Sequence, residues 1–256
     1  MEPLFVSCSD QGKVRQKNED FAGHARNTAI GAELFCVADG MGGHGSGDLA
    51  SRTVVDSLLH EFKNLTSYEQ NLPDEMVNRL FIKTQQALCA RKKKNNIKSI
   101  IGTTLSALIV FQHAVICANV GDTRIYCFDE KNLIQKNHDH TYVNDLLANN
   151  RISKEQAREH PQKNVLTRAI TGDETEIEAY VHVDLPDSRN IYLICSDGLY
   201  NMVDEDFMYS VLKQSSIFQA RDYLLKQAYA NGATDNITFQ IIKPFDDEKT
   251  VSLSSK

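Results

Sequence analysis

The apolar positions change period several times along the chain, and each change predicts an element. FVSCSD and LFCVAD are short, rich in Val, Phe and Cys, and stop at acidic or glycine-rich turns, as strands do. After Gly45 the spacing becomes helical. Leu49, Ala50, Val54, Val55, Leu58, Leu59 and Phe62 recur at three- and four-residue steps and predict one long amphipathic helix. A second helix is predicted from near Pro73, with Met76, Val77, Leu80, Phe81, Ala87 and Leu88 on its apolar face, running out in Arg91, Lys92, Lys93 and Lys94. Those cations read as a solvated helix end favoured by the macrodipole, in preference to a site for an anionic partner. TLSALIVF, HAVICANV and TRIYCF, between Thr103 and Phe128, predict an antiparallel meander. Residues 137–165 are polar and mixed, with a short helix opened by the capping pair Ser153 and Gln156. NIYLICSDG predicts a buried strand ending at Asp197. Two helices follow, one after Asp204 and one opened by Ser216 with Gln219, before a closing strand NITFQIIK.

Two long helices, two late helices and many antiparallel strands predict an α+β domain in which helices cover sheets. No repeat, low-complexity tract or linker interrupts the chain, so a single domain is expected over residues 1–245, with 246–256 as a short charged tail.

Composition narrows the function. With 41% apolar and 24% charged residues in 256, the chain has material for a core and is not disordered. The 28 Lys and Arg against 34 Asp and Glu give −6, which argues against nucleic acid as a partner. No apolar run reaches the length of a bilayer span, and MEPLFVSCSDQGK lacks the features of a signal peptide. Membrane attachment is therefore not expected, and export by some other signal stays open. Six cysteines, Cys8, Cys36, Cys89, Cys117, Cys127 and Cys195, show no CxxC spacing and read as free thiols of a cytoplasmic protein rather than disulfides or zinc ligands.

The chemistry lies in where the acids fall. Asp39 follows LFCVA and precedes Gly40-Met41-Gly42-Gly43; Asp197 follows YLICS and precedes Gly198. Asp235 stands just before the last strand, Asp122 in a turn after Gly121, and Glu19 and Asp20 are adjacent. Singly, an Asp at a strand end is usually a turn former. Four of them at strand ends of one sheet system could instead line one cleft, where they would repel unless neutralised. Oxygen donors without paired His or Cys favour hard ions such as Mg²⁺ or Mn²⁺, and two such ions form the usual apparatus for phosphate-ester hydrolysis. Arg15 supplies a cation four residues before Glu19.

Seven segments, SDQGKVRQKNEDF, VADGMGGHGSGDLAS, IGTTL, ANVGDTRIY, HPQKNVLTRAI, LICSDGL and GATDNIT, occur in an order that resembles the metal-dependent Ser/Thr protein phosphatases of the PPM (type 2C) family in their bacterial form. The resemblance runs from Ser9 to Thr238. It implies a four-layer α-β-β-α sandwich of two antiparallel sheets flanked by helices. It also implies hydrolysis of phosphoserine and phosphothreonine by a hydroxide held between two Mn²⁺ or Mg²⁺ ions, with no phosphoenzyme. Position by position, Asp39 resembles the carboxylate bridging both metals, and Asp197 and Asp235 resemble ligands of the first ion. Glu19, Asp20 and the carbonyl of Gly40 resemble the shell of the second. Asp122 matches the acid that, with Asp197, can hold a third ion, and Arg15 matches the Arg that grips the substrate phosphate. The implied partners are phosphorylated proteins and a Ser/Thr kinase of the same cell, with the phosphatase a monomer.

For the leaving-group proton two readings stand. His44 is a candidate general acid, or it packs at the helix start while water supplies the proton. Met41 stands where animal members place a His. His138 and His140 read as structural, at the edge of a mobile flap over about residues 137–165. Departures from the family pattern are Thr123, Ile101, Asp48 and Ala233, with Gly172 one position late, and none removes a proposed ligand. Two other functions are a phosphatase dedicated to one phosphorylated regulator and a non-catalytic phosphoprotein-binding domain. The second would have been expected to lose one of Asp39, Asp197 or Asp235. Setting the six site acids aside leaves acids and bases equal, so the charge of −6 is accounted for by one pocket.

Overall fold

In a computed structural model, residues 2–43, 46–68, 72–173 and 177–245 are described. The tail 246–256 and His44 lie outside the described residues. Eleven strands and seven helices follow in the order β1 (Leu4–Asp10), β2 (Asp20–Asn27), β3 (Ala32–Gly42), α1 (Gly47–Lys63), α2 (Pro73–Lys94), β4 (Ile101–Thr103), β5 (Leu105–Phe111), β6 (Val115–Val120), β7 (Arg124–Phe128), β8 (Leu133–Gln135), α3 (Tyr142–Ala148), α4 (Lys154–Glu159), β9 (Tyr180–Asp184), β10 (Ile191–Cys195), α5 (Asp197–Tyr200), α6 (Glu205–Gln214), α7 (Ile217–Ala230) and β11 (Ile237–Lys243). One sheet has the order β1-β11-β10-β7-β8 and the other β2-β3-β5-β6-β9, with β4 added to the end of β3; every pairing is antiparallel.

The period of two along each strand sorts side chains into three apolar layers. In β3, Leu34, Cys36 and Ala38 pack under α1 and α2, with Val54, Leu58, Phe62, Val77 and Phe81. In the other sheet, Leu193, Cys195, Phe239 and Ile241 meet Met208, Leu212, Ala220 and Leu224 from α6 and α7. Between the sheets lie the opposite faces, Phe35, Val37, Leu108, Val115, Cys117, Ile125, Tyr192, Ile194 and Ile242. The result is the four-layer α-β-β-α sandwich. The predicted caps form as expected: Ser153 with Gln156 and Ser216 with Gln219 are full capping boxes, and Asp204 accepts from the Phe207 N–H.

Three expectations change. The segment from Thr103 to Phe128 is not one meander, because β7 leaves its predecessors and joins the other sheet. The turn at Gly121, with φ of +103°, and the Thr104–Thr123 hydroxyl contact at 2.5 Å hold the chain where it crosses. The basic end of α2 is not wholly solvated, since Lys92 is buried and donates to the Thr171 carbonyl at 3.1 Å and to Asp173 at 2.6 Å. The polar stretch 137–165 holds a second helix, α3, capped by Thr141. The cysteines are free thiols, as expected.

Candidate active site

The layer between the sheets is apolar at one end and polar at the other, and the site stands at the polar end. Followed along the inward-facing parity, β3 passes from Phe35 and Val37 to Asp39, and β5 passes from Leu108 back through Ser106 to Thr104. In the other sheet β11 runs back from Ile242 through Gln240 and Thr238 to Asn236, and β10 runs from Ile194 to Ser196. The same alternation that builds the core therefore places an acid in it. Asp39 does not end its strand, as the sequence suggested; β3 continues to Gly42 because Ile101–Thr103 pairs with it.

Asp39 is fixed on both sides of its peptide unit. Its N–H donates to the Thr104 hydroxyl at 2.9 Å, and its carbonyl accepts from the Thr103 hydroxyl at 2.8 Å. Asp20 sits directly across from it in the β2–β3 register and accepts from Ser196 at 2.8 Å. Asp197 opens α5, its N–H end held by the Ser196 turn, and Asp235 precedes β11. Asp122 lies in the turn where the chain changes sheets, and the Tyr200 hydroxyl donates to it at 3.3 Å. Glu19 accepts from the Gly47 N–H at the start of α1 at 2.7 Å. All but Asp20 of the six predicted acids, with Gly40 and Arg15, open onto one cleft of about 1070 Å³ apart from Asp20, which is buried beneath it at 6% exposure.

Burial and mutual repulsion shape the electrostatics. Burial first, then neighbouring acids, raises Asp20 and Asp122 to about 7 and Asp197 to about 6, and holds Asp39 well above the usual carboxylate range. Arg15, half exposed, donates from its guanidinium to Asp235 at 2.7 Å, and the charge of Arg124 also offsets Asp122 and Asp197. Six acids line the cleft against Arg15 and Arg168, which leaves a deficit of positive charge, and the acids offer only oxygen donors, a set that suits hard divalent ions. Among the described residues no three acid, thiol or imidazole groups already close on one point.

Gly40 was expected to let its carbonyl approach a metal. The structure adds a different constraint: a Cβ there would stand 2.2 Å from the Gly47 carbonyl oxygen and 2.5 Å from that of Glu19. Only glycine lets the start of α1 pack against the Glu19 turn. Gly198 is similar, its would-be Cβ 1.8 Å from the Asn236 carbonyl oxygen.

The sequence reading missed supporting residues. Asn236 accepts from the Glu19 N–H and donates to the carbonyls of Gln11 and Lys17, tying the loop that carries Arg15 and Glu19 to β11. Thr103 and Thr104 were noted only as part of a motif, though the inward parity of Thr104 was readable. His140 is structural: burial, then the charge of Arg168, lowers it to about 4, so its neutral ring accepts from the Gly121 N–H at 3.1 Å and braces the Asp122 turn. His138 stacks edge-on against Tyr180. Another part of the cleft lining comes from Asn164, from residues between Leu166 and Thr171, and from Ile177 and Glu178, so of the stretch 137–165 only Asn164 reaches it.

A cleft lined by oxygen-donor acids with Arg15 beside them, at one end of a two-sheet sandwich, is an arrangement suited to metal-dependent phosphate-ester hydrolysis. The family model for protein phosphatase 2C matches residues 10–228, and the chain belongs to that family. The serine/threonine phosphatase stp of Listeria monocytogenes is 36% identical over 92% of this chain and 93% of its own. Among solved structures, the serine/threonine phosphatase Stp1 from Staphylococcus aureus superposes with a TM-score of 0.86 at 29% identity, over 95% of this chain and 97% of that one. The catalytic domain of the phosphatase PstP, in complex with two manganese ions, gives 0.81 at 27% identity over 94% and 97%.

Proposed function

We propose that this phosphatase removes phosphate from phosphoserine and phosphothreonine in proteins, using two Mn²⁺ or Mg²⁺ ions, with Asp122 and Asp197 able to hold a third. The observation that supports the reading is the convergence of Glu19, Asp39, Asp122, Asp197 and Asp235 on one cleft, with Asp20 buried across the strand pair from Asp39 and Arg15 beside Asp235. Asp39, on β3, would serve both ions; Asp197 and Asp235 would complete one site, and Glu19, Asp20 and the Gly40 carbonyl the other. When bound, the ions would supply Lewis acidity, lowering the pKa of water and neutralising phosphoryl oxygens.

The chain's own residues do the rest. Arg15 stands at the cleft mouth on a loop held by Asn236, so its planar fork can leave Asp235 and take two phosphoryl oxygens. That exchange orients the phosphorus toward the floor formed by Asp39 and stabilises charge that develops on the equatorial oxygens. The leaving alkoxide takes its proton from His44 or from water. Leu166, Thr167, Thr171 and Ile177 on the cleft lining would stand beside the phosphorylated side chain.

We assign the phosphatase domain to residues 1–245 and the tail to 246–256, and place the protein in the cytoplasm beside a Ser/Thr kinase, as a monomer with neither membrane nor nucleic acid as a partner. Its free thiols support a reducing compartment. Among the described residues no helix is long and apolar enough to cross a membrane. The test is hydrolysis of an aryl phosphate and a phosphothreonine peptide with saturating Mn²⁺, alongside calorimetric titration of Mn²⁺ into the metal-free protein. Two bound ions and turnover of both substrates are expected. No turnover of either would return the protein to the class of phosphoprotein-binding domains.

A further inference from the structure

Charge is distributed very unevenly along this chain. Between Glu75 and Asp122 there is no acidic residue, yet that stretch carries Arg79, Lys83 and five cations from Arg91 to Lys98, in a protein whose net charge is −6. Lys92 alone of those five is used internally, anchoring Thr171 and Asp173. Arg91, Lys93, Lys94 and Lys98 are exposed, and among the described residues none of them forms an ion pair. A helix C-terminus attracts cations, but its field fades within the last turn. Lys98 lies beyond α2, past the left-handed residue Asn96, and is not explained that way.

The patch is held in register with the cleft at two points. Lys92 grips Thr171, which lines the cleft. Three residues after Lys98 the chain enters β4, where Ile101 and Gly102 pair with Gly42 and Met41, both cleft residues. At about 3.5 Å per extended residue, Lys98 stands within roughly 10 Å of that strand. Ile100, 81% exposed, adds an apolar contact between the cations and the cleft.

We propose that Arg91, Lys93, Lys94 and Lys98 form a docking surface for an acidic segment flanking the phosphorylated residue of the substrate protein. This rests on the phosphatase reading above and gives it a substrate class, phosphoproteins with an acidic stretch near the site. An extended polyanion such as nucleic acid fits less well, because it would continue across a cleft rich in carboxylates. A flank leaving the cleft past Met41, Gly42 and Thr171 would meet the cations, and charge complementarity there acts mainly on capture.

The experiment compares two phosphothreonine peptides with the same central residues, one with an acidic and one with a neutral flank. Each is tested on the wild-type enzyme and on the triple variant Lys93→Glu, Lys94→Glu, Lys98→Glu, with Lys→Gln at the same positions as a milder control. Roughly twofold per exposed charge pair gives a preference of about tenfold for the acidic peptide, carried by KM. It should vanish in the triple variant, shrink in the Lys→Gln control, and fade as salt rises past about 0.5 M. Aryl phosphate turnover should stay unchanged in every variant. A wild type without the preference, or a triple variant that keeps it, overturns the proposal. So does a triple variant whose only loss is binding to heparin or to anionic phospholipid vesicles. If the wild type hydrolyses no aryl phosphate, the phosphatase reading is what fails, and fluorescence anisotropy of the two labelled peptides still tests the surface by the same comparison.

Discussion

Replacing Asp122 by Asn should stabilise the metal-free protein, and only above the acid range. The carboxyl is buried, and burial followed by the charges of Asp197 and Asp139 raises it from 3.8 to about 7. For an acid raised on folding, the native state holds the proton while the unfolded state has released it, so stability falls as pH rises through the interval between the two values. Below about pH 4 both states are protonated and the substitution changes little. Between pH 4 and 7 the cost of ionised Asp122 grows, and above pH 7 it levels off. A shift from 3.8 to about 7 corresponds to roughly 4 kcal/mol at the plateau. Because Asp197 relaxes when its neighbour is neutralised, a gain of about 2–4 kcal/mol is expected at pH 8. The amide of Asn retains an acceptor for the Tyr200 hydroxyl, so that hydrogen bond survives the change. In a chain of this size that gain moves the melting temperature by roughly 5–15 °C. Thermal unfolding in chelator at pH 4, 6 and 8, followed by circular dichroism, makes the comparison. A variant less stable than wild type at pH 8, or equally stabilised at pH 4 and pH 8, would refute the account of the cleft as a site of stored repulsion.

Asp39→Asn should leave less than about 1% of wild-type turnover, and calorimetry should show Mn²⁺ binding sharply weakened, because the variant loses the central acid of the cluster. Arg15→Ala should raise KM for an aryl phosphate about tenfold with a smaller fall in kcat, since the guanidinium at the cleft mouth binds phosphate in ground and transition states alike; an unchanged KM counts against its role. Gly40→Ala should cost more than about 2 kcal/mol, measured by urea unfolding of the metal-free protein, because its Cβ meets backbone that cannot turn aside. The kcat–pH profile of His44→Ala separates the two proton donors: a lost limb near neutral pH assigns the proton to His44, and a superimposable profile assigns it to water.

Residues with one dominant environment were the legible ones. The helices α1, α2, α6 and α7 each bury one face, so a 3.6 period survived in the sequence. The central strands β3, β5, β6, β10 and β11 are covered on both sides and read as apolar runs. What escaped were β2 and β9, the two edges of the six-stranded sheet, and β8, the edge of the other. An edge strand such as Tyr180–Asp184 is only partly buried, and its mixed composition carries little period. The crossing of β7 was also hidden, because strand parity says which face a residue takes but not which sheet the strand joins. The acids of the site were found because they interrupt apolar strands or follow them. Thr103, Thr104, Ser196 and Asn236 were not, because a small polar residue at a strand end looks like any turn former until its partner is known.

The polar end of the layer between the sheets explains why these acids can be tolerated at all. Asp39 shares its strand face with Phe35 and Val37, so moving it would disturb the packing that closes both sheets. Its peptide unit is bound by Thr103 and Thr104, and Asp20 opposite it by Ser196, so neither acid can swing away from the other to relieve repulsion. The three apolar layers supply the stability that holds them there, while burial and mutual repulsion push the carboxyls of the cluster toward the protonated form. Exposed acids would attract a divalent ion weakly and at many sites. Rigid, buried ones with raised pKa values concentrate the attraction at one place, and the binding of cations would release protons. Raising pH from 6 to 8 should therefore strengthen Mn²⁺ binding to the metal-free protein, with measurable proton release in weakly buffered solution; affinity independent of pH across that range would show that the cluster is already ionised and the repulsion argument wrong.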